Sequence, residues 1–199
     1  MKDLWNKRYS EPQYSYGAEP NQFLKENLAG IKPGKALFIA EGEGRNAVYA
    51  ASLGWVVDAV DFSEEGKRKA DLLATEKGVK INYVVEDLEN YNFTPDHYDL
   101  VVYIFVHLHH DLKREIHQRS ISSLKKDGLI IMEVFEIDQL KYSSGGPKTK
   151  ELLYSLSEIA EDFINLDFQS FSKEEVELGE GKYHQGRGMV IRFIAKKEF

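Results

Sequence analysis

The sequence predicts an α/β protein with a doubly wound, mostly parallel sheet that ends in an antiparallel β-hairpin. Three observations support this prediction. Apolar runs alternate with helical patterns between residues 34 and 135, as in sheets covered by helices on both faces. The first run leads into a glycine turn and then a helix. The last two extended runs, 166–178 and 188–196, have no helix between them and so predict a hairpin.

Residues 1–33 predict an N-terminal cap segment followed by a helix. Residues 5–17 are rich in aromatic side chains, which favours a cap packed on the surface of the fold. Pro20 suits the first turn of the helix, and Gly30 follows its end. One face of this helix carries Phe23, Leu24, Asn27 and Leu28.

Residues 34–135 predict the core of the sheet. The expected strands are 36–40, 56–61, 80–85, 98–106 and 129–135. A helix with Val48, Tyr49 and Leu53 follows the glycine turn. A second helix is predicted from an N-cap at Ser63 to Gly78, and a third from an N-cap at Asp111 to Leu124.

Residues 136–199 predict a different ending. A loop over 136–150 precedes a short helix that begins at a capping box, Ser155 with Glu158, and ends at Phe163. The hairpin strands are joined through residues 179–181. No linker or repeat divides the chain, so we expect one domain over 1–199, made of 1–33, 34–135 and 136–199.

Composition limits the possible functions. The 199 residues carry a net charge of −7 and no cysteine, which excludes disulfides and thiolate metal sites and gives no electrostatic support for nucleic-acid or membrane binding. No apolar run approaches the length of a membrane span, and a cytoplasmic location is expected.

The glycine turn has two interpretations. Gly42-x-Gly44-x-x-Ala47, with Asp61 19 residues after Gly42, satisfies the fingerprint of a dinucleotide site in its alanine variant. An NAD(P)-binding oxidoreductase is therefore one alternative. The same residues are typical of the first glycine-rich motif of S-adenosylmethionine (SAM)-dependent methyltransferases. The hairpin ending favours the second interpretation, as does the absence of a Tyr-x-x-x-Lys pair.

Four motifs carry a resemblance over almost the whole chain. They are Tyr14-x-Tyr-Gly-x-Glu-Pro-Asn21, Ala40-Glu-Gly-Glu-Gly-Arg-Asn-Ala47, Ser144-Gly-Gly-Pro-Lys148 with Leu152-Leu-Tyr-Ser-Leu156, and Gly181-x-Tyr-His-x-Gly-Arg187. With them the chain resembles the class I SAM-dependent methyltransferases, and more narrowly the tellurite-resistance and thiopurine-methyltransferase-like group. The resemblance implies a Rossmann-like methyltransferase sheet, SAM as cofactor and S-adenosylhomocysteine as product.

The resemblance also implies a set of cofactor-binding residues. Asp61 would accept hydrogen bonds from the ribose hydroxyls or cap the next helix. Asp87 would accept a hydrogen bond from the adenine amino group or be an ordinary loop acid. Phe38 and Ala40 occupy positions where the family has an acid and a glycine, and Glu41 is then the candidate partner for the SAM amino group or an exposed loop charge. The full set is Tyr16, Gly17, Glu41, Gly42, Gly44, Arg45, Asn46, Asp61, Phe62, Asp87 and Leu88. Arg45 and Asn46 would bond either the cofactor carboxylate or the N-terminal segment.

The acceptor side is predicted from fewer residues. His107 lies just past the fourth strand and could orient or deprotonate an acceptor. His184 and Arg187, in or beside the hairpin loop, would hold it or be solvated, and Tyr154 would line its pocket or pack. The His107-x-His-His-Asp111 cluster lacks an evident third ligand, so no metal site is predicted.

We therefore expect a methyltransferase for a small-molecule acceptor with a soft or anionic nucleophile, a thiol or a chalcogen oxyanion. A non-catalytic SAM-binding protein is the second alternative. The expected assembly is a monomer or homodimer.

Overall fold

The computed structural model describes residues 2–198, which form helices, strands and two short 3₁₀ turns. The helices are α1 Lys2–Tyr9, α2 Gln22–Leu28, α3 Arg45–Ser52, α4 Glu64–Lys77, α5 His110–Ser123 and α6 Leu156–Asp162. The strands are β1 Lys35–Ile39, β2 Val56–Asp61, β3 Asn82–Val85, β4 Tyr98–Ile104, β5 Leu124–Phe135, β6 Asp167–Glu180 and β7 His184–Lys196. The 3₁₀ turns are Ile137–Lys141 and Lys150–Leu152.

Within residues 2–198 the strands form one seven-stranded sheet in the order β3-β2-β1-β4-β5-β7-β6. β1 pairs with β2, β2 with β3 and β4 with β5 in parallel, whereas β7 runs antiparallel to β5. The predicted α/β fold with an antiparallel C-terminal ending is thus confirmed.

The first compact unit contains the chain up to Tyr91 together with Glu180–Tyr183. Residues 36–39 of β1 are almost fully buried, because a central parallel strand is covered on both faces. In register, Phe38 lies beside Ala59 and Asp61 beside Val85. The ends of β1 and β2 therefore bring the glycine turn and Asp61 to one edge.

The second compact unit contains residues 92–179 and the strand that begins at His184. β5 is its central strand, with β4 on one side and β7 on the other. Phe135 at the end of β5 pairs with Val190 of β7. It belongs to a buried apolar cluster with Leu153, Leu178 and Val190.

Several helix boundaries follow the predicted local signals. The Ser63 hydroxyl accepts a hydrogen bond from the Gly66 amide, and the Ser155 hydroxyl accepts one from the Glu158 amide. Gly78 ends α4 in a left-handed conformation. These N-caps and this C-cap are confirmed.

Other boundaries differ from the prediction. The α5 N-cap is His109, and Asp111 lies in the first turn, so the predicted Asp111 cap is wrong. Asn21 caps α2 by accepting from the Leu24 amide, which places Pro20 before the helix instead of in its first turn. β5 begins at Leu124 and contains the left-handed Asp127. The helix α1 was not predicted at all.

Candidate cofactor and acceptor sites

The glycine turn after β1 places its backbone in conformations that favour glycine. Gly42 and Gly44 have φ of 63° and 86°. A Cβ on Gly42 would lie 2.6 Å from the Tyr9 hydroxyl, and a Cβ on Gly44 would lie 2.4 Å from Ala70 Cβ. Gly44 therefore allows α3 and α4 to pack closely, while Gly42 leaves room for Tyr9.

Asp61 ends β2 directly beside this turn. Its two carboxylate oxygens accept hydrogen bonds from the Gly42 amide at 3.0 Å and from the Ser63 amide at 2.8 Å. The residue is 6% exposed, and burial raises its pKa to about 6. A carboxylate has about four lone-pair sites, so Asp61 retains acceptor capacity for two further O–H donors.

Ala40 and Glu41 occupy the positions where the chain departs from the usual motif. Ala40 has a left-handed backbone with φ of 49°, a conformation that explains why a glycine is common there. The Glu41 carboxylate accepts from the Asn46 amide at 2.9 Å and the Ala47 amide at 2.7 Å, so it covers the N-terminus of α3. Burial raises its pKa to about 7. Its contact with the SAM amino group stays a prediction.

Arg45 and Asn46 hold the N-terminal segment and the hairpin tip. The Arg45 guanidinium lies 2.8 Å from a Glu180 carboxylate oxygen. The Asn46 side-chain oxygen accepts from the Asn21 amide at 2.9 Å, and the Asn21 side chain donates to Glu180 at 3.0 Å. Arg45 and Asn46 were predicted to bond either the cofactor carboxylate or the N-terminal segment, and these contacts correspond to the second role.

The segment Tyr14–Gly17, here called the N-terminal strip, is fixed from two sides. The Ser15 amide donates to the Glu43 carboxylate at 2.7 Å, and the Ser15 carbonyl accepts from the Lys182 amide at 3.0 Å. A Cβ on Gly181 would lie only 2.5 Å from Ser15 and Gly17 backbone atoms. The Tyr16 hydroxyl accepts from Arg8 at 2.8 Å.

The residues predicted to surround adenine lie at the ends of β2 and β3. Phe62 is half-buried and Leu88 is buried, whereas Asp87 is exposed. The Asp87 carboxylate accepts from the Glu89 amide at 3.2 Å. Asp87 thus shapes its own turn, and its contact with adenine stays a prediction.

In the second unit, two histidines and two phenylalanines form an aromatic group. The His107 ring stacks on Phe135 with centroids 5.6 Å apart. His184 packs edge-on against Phe105 at 4.5 Å and Phe135 at 5.2 Å. Phe105 has a left-handed backbone with φ of 53°, and such strain in a non-glycine residue clusters at functional sites.

His107 is held in one tautomer. Its Nδ1 lies 3.1 Å from the Leu152 carbonyl oxygen, which can only accept, so Nδ1 carries the proton and Nε2 is an acceptor. Burial lowers the His107 pKa to about 3, although the bond to Leu152 opposes the change and His184 adds to it. His107 is therefore neutral at physiological pH.

Arg187 and Tyr154, which were both predicted on the acceptor side, lie outside the aromatic group of Phe105, His107, Phe135 and His184. Arg187 is exposed and its guanidinium is 3.3 Å from Glu175, because residues three apart in a strand face opposite sides. The structure does not bring it together with His184. Tyr154 is fully buried and packs against His117 and Lys113. The prediction that Tyr154 lines an open pocket is corrected, since the alternative of core packing is what the structure shows.

His109 and His110 are both exposed. Among residues 2–198, no three histidine, aspartate or glutamate side chains converge as a metal-binding group. In the same part of the chain, no helix is long and apolar enough to cross a membrane.

Sequence reasoning missed three residues of the cofactor side. Tyr9 contacts Gly42, and Glu43 and Lys69 form a buried ion pair beside the N-terminal strip. Tyr9 lies in α1 and Lys69 in α4, and no local sequence pattern predicts that either residue lies beside the glycine turn. Glu43 lies inside the glycine motif, where a charged residue between two glycines was a usable signal.

Residues 36–128 match a family model described as a methyltransferase domain. This segment runs from β1 into β5 and includes the glycine turn, Asp61 and His107. A search of curated proteins gave no significant match.

Solved structures share the fold. TehB from Haemophilus influenzae is 18% identical, with a TM-score of 0.74 over 99% of this chain and 67% of that one. A SAM-dependent methyltransferase from Methanosarcina mazei is 18% identical, with a TM-score of 0.66 over 90% and 99%. A protein from work on the conversion of a disulfide bond into a thioacetal group during echinomycin biosynthesis is 14% identical, with a TM-score of 0.79 over 100% and 92%.

The family match and the shared fold point to the same class of protein. Residues 36–128 are similar to a methyltransferase domain, and the fold is shared with a SAM-dependent methyltransferase, which makes SAM the candidate cofactor. The first unit fits this group on its own chemistry, since a buried carboxylate with spare acceptor sites suits a ribose diol and the left-handed glycines allow close backbone approach. When bound, SAM supplies an activated methyl group.

Proposed function

We propose that the chain methylates a small soft nucleophile, of which a thiol is the first choice and a chalcogen oxyanion the second. The observation that supports this most is the aromatic group formed by Phe105, His107, Phe135 and His184. Sulfur makes favourable contacts with aromatic rings. A soft acceptor is therefore matched by the side chains of this group.

The state of His107 supports the same acceptor class. With a pKa of about 3, its Nε2 accepts a hydrogen bond but is a weak base. Hydroxyl and amine acceptors need a proton acceptor in the reaction. A thiol, with an ordinary pKa of about 8.5, ionises in part near neutral pH without help. The thiolate lone pair forms the new carbon–sulfur bond as the sulfonium bond breaks, and the thiol proton goes to solvent.

An oxyanion has less support, because Arg187 pairs with Glu175 on the exposed side of the hairpin. The resemblance to the tellurite-resistance and thiopurine-methyltransferase-like group favours both acceptor types. One structural neighbour comes from work on the conversion of a disulfide bond into a thioacetal group, a change at sulfur, which agrees with the first choice.

The test is a matched acceptor series, thiophenol, phenol and aniline, measured by release of S-adenosylhomocysteine with the uncatalysed rate subtracted. We expect thiophenol to be preferred over phenol by about 10²-fold beyond the ratio of the uncatalysed rates, since base catalysis worth about 10²–10⁴ is missing for phenol. Equal or faster turnover of phenol or aniline would overturn the acceptor assignment. Selenite and tellurite form a second arm for the oxyanion.

Calorimetric titration with SAM and with NAD tests the oxidoreductase alternative, which requires binding of NAD. Binding of SAM without product from any acceptor would instead support a SAM-binding protein without turnover.

A further inference from the structure

The helix α1 directs two side chains at the cofactor side of the first unit. Asn6 and Tyr9 are three residues apart and so share a helix face. The Asn6 side-chain oxygen accepts from the Ser63 hydroxyl at 2.6 Å. Tyr9 reaches the glycine turn, where its hydroxyl lies 2.6 Å from the position of a Cβ on Gly42. α1 therefore lies across both the turn and the end of β2.

The Tyr9 hydroxyl is available for a ligand. Tyr9 is 6% exposed, and its ring contacts Trp5 with centroids 5.4 Å apart. Within residues 2–198 its hydroxyl makes no hydrogen bond to the protein, and it is not one of the fully enclosed unpaired polar atoms, which are Trp55 Nε1, His117 Nε2 and the Tyr154 hydroxyl. An unpaired hydroxyl that is still accessible can donate to and accept from a ligand. A hydroxyl kept in such a place fits a partner that arrives with the cofactor.

Gly42 connects this hydroxyl to Asp61. The Gly42 amide donates to Asp61 at 3.0 Å, so Asp61 and Tyr9 both border the same glycine. Burial and the nearby Asp61 carboxylate raise the Tyr9 pKa well above its usual value, which keeps the hydroxyl protonated. An acceptor and a donor thus border one glycine, an arrangement that suits a vicinal diol, since each diol oxygen both donates and accepts.

We propose that Tyr9 is a cofactor-binding residue whose hydroxyl forms a hydrogen bond with the ribose diol of SAM, alongside Asp61. The inference rests on SAM as the cofactor and adds a residue that the cofactor motifs do not include.

The test is Tyr9→Phe in the full chain, with calorimetric titration of S-adenosylhomocysteine and of its 2′,3′-dideoxy analogue. We expect Tyr9→Phe to weaken binding of S-adenosylhomocysteine about fivefold, the size of one net hydrogen bond. Binding of the dideoxy analogue should be the same for wild type and variant. Unchanged or tighter binding of S-adenosylhomocysteine, or an equal loss for both ligands, would overturn the proposal.

Tyr142→Phe is the matched control, because its hydroxyl bonds Glu175 in the exposed part of the second unit, and it should bind both ligands as wild type does. The melting temperature of the ligand-free variant checks folding. If Tyr9→Phe fails to fold, Tyr9→Met removes the same hydroxyl and gives the same comparison. Failure of the wild type to bind S-adenosylhomocysteine would refute the cofactor itself, which is a different result from a failure of the Tyr9 assignment.

Discussion

The Lys69 ammonium lies 2.6 Å from a Glu43 carboxylate oxygen, and the two side chains are only 4% and 3% exposed. Lys69 also donates to the Gln13 carbonyl at 2.6 Å, while the other Glu43 oxygen accepts from the Ser15 amide at 2.7 Å. One buried ion pair therefore joins α4, the glycine turn and the N-terminal strip. Both charges are satisfied by backbone groups as well as by each other.

Replacing Lys69 with methionine should lower the free energy of unfolding by about 3–5 kcal/mol, because it leaves the Glu43 carboxylate buried without its cation. Urea unfolding measures the change. The control is Lys67→Met, whose exposed pair with Asp71 is worth less than about 1 kcal/mol. If the two variants lose the same stability, the pair does not hold the strip.

Ala40 predicts a stabilising substitution. Its left-handed backbone, with φ of 49°, costs a non-glycine residue about 1–2 kcal/mol, whereas glycine adopts it freely. After the entropy that glycine gains in the unfolded chain, Ala40→Gly should raise the free energy of unfolding by about 0.5–1 kcal/mol. Ala36→Gly, in the fully buried part of β1, should destabilise. A loss of stability in both variants would contradict the strain argument.

We expect Asp61 to make cofactor binding pH-dependent. Burial raises its pKa from 3.8 to about 6, and hydrogen bonds from the ribose hydroxyls would favour its ionised form. Affinity for S-adenosylhomocysteine should therefore be constant above pH 7 and fall by up to about tenfold per pH unit below 6. Calorimetry between pH 5 and 8 tests this. Asp61→Asn should bind S-adenosylhomocysteine weakly and lose the pH dependence of binding. If affinity falls with pH in that variant as it does in the wild type, the pH dependence belongs to another group.

The raised pKa of Asp61 has the opposite effect on the stability of the ligand-free protein. An acid whose pKa is raised in the folded state favours folding when protonated. The contribution of Asp61 is therefore fully present below about pH 3.8 and is lost as the pH rises through about 6. Asp61→Asn should remove this part of the pH dependence of unfolding, as thermal melts across the range would show.

Alanine variants of His184 and Arg187 should differ in their rates of methyl transfer. His184 packs with Phe105 and Phe135, so His184→Ala should lower kcat/KM for the thiol acceptor about tenfold or more while SAM affinity changes less than twofold. Arg187 is exposed beside Glu175, and Arg187→Ala should keep activity within about twofold. An equal loss in both variants would place Arg187 on the acceptor after all.

Local signals predicted much of the fold because single residues decide them. Ser63 and Ser155 cap their helices through their own hydroxyls. The cap at Asp111 was wrong, since His109 precedes the first helical turn and Asp111 lies within it. A serine or aspartate pattern gives the neighbourhood of a helix start but does not fix which residue has the extended backbone.

The site was less predictable where contacts join distant parts of the chain. Asp61 and the glycines follow from strand ends that meet at one sheet edge. The approach of Tyr9 to Gly42 depends on how α1 packs, and no periodicity within α1 encodes it. For His184 and Arg187 a signal did exist, because a spacing of three in a strand already places two side chains on opposite faces.

The contact of the hairpin tip with the N-terminal strip has a consequence for synthesis on the ribosome. Ser15 and Gly17 emerge from the ribosome well before their partners Gly181 and Lys182. Domains generally fold as units during synthesis, so the strip cannot reach its final packing until the hairpin tip has been made. The nascent chain thus carries the glycine turn and Asp61 long before the strip can be fixed beside them, and a ribosome stalled before Glu180 leaves the strip without that partner.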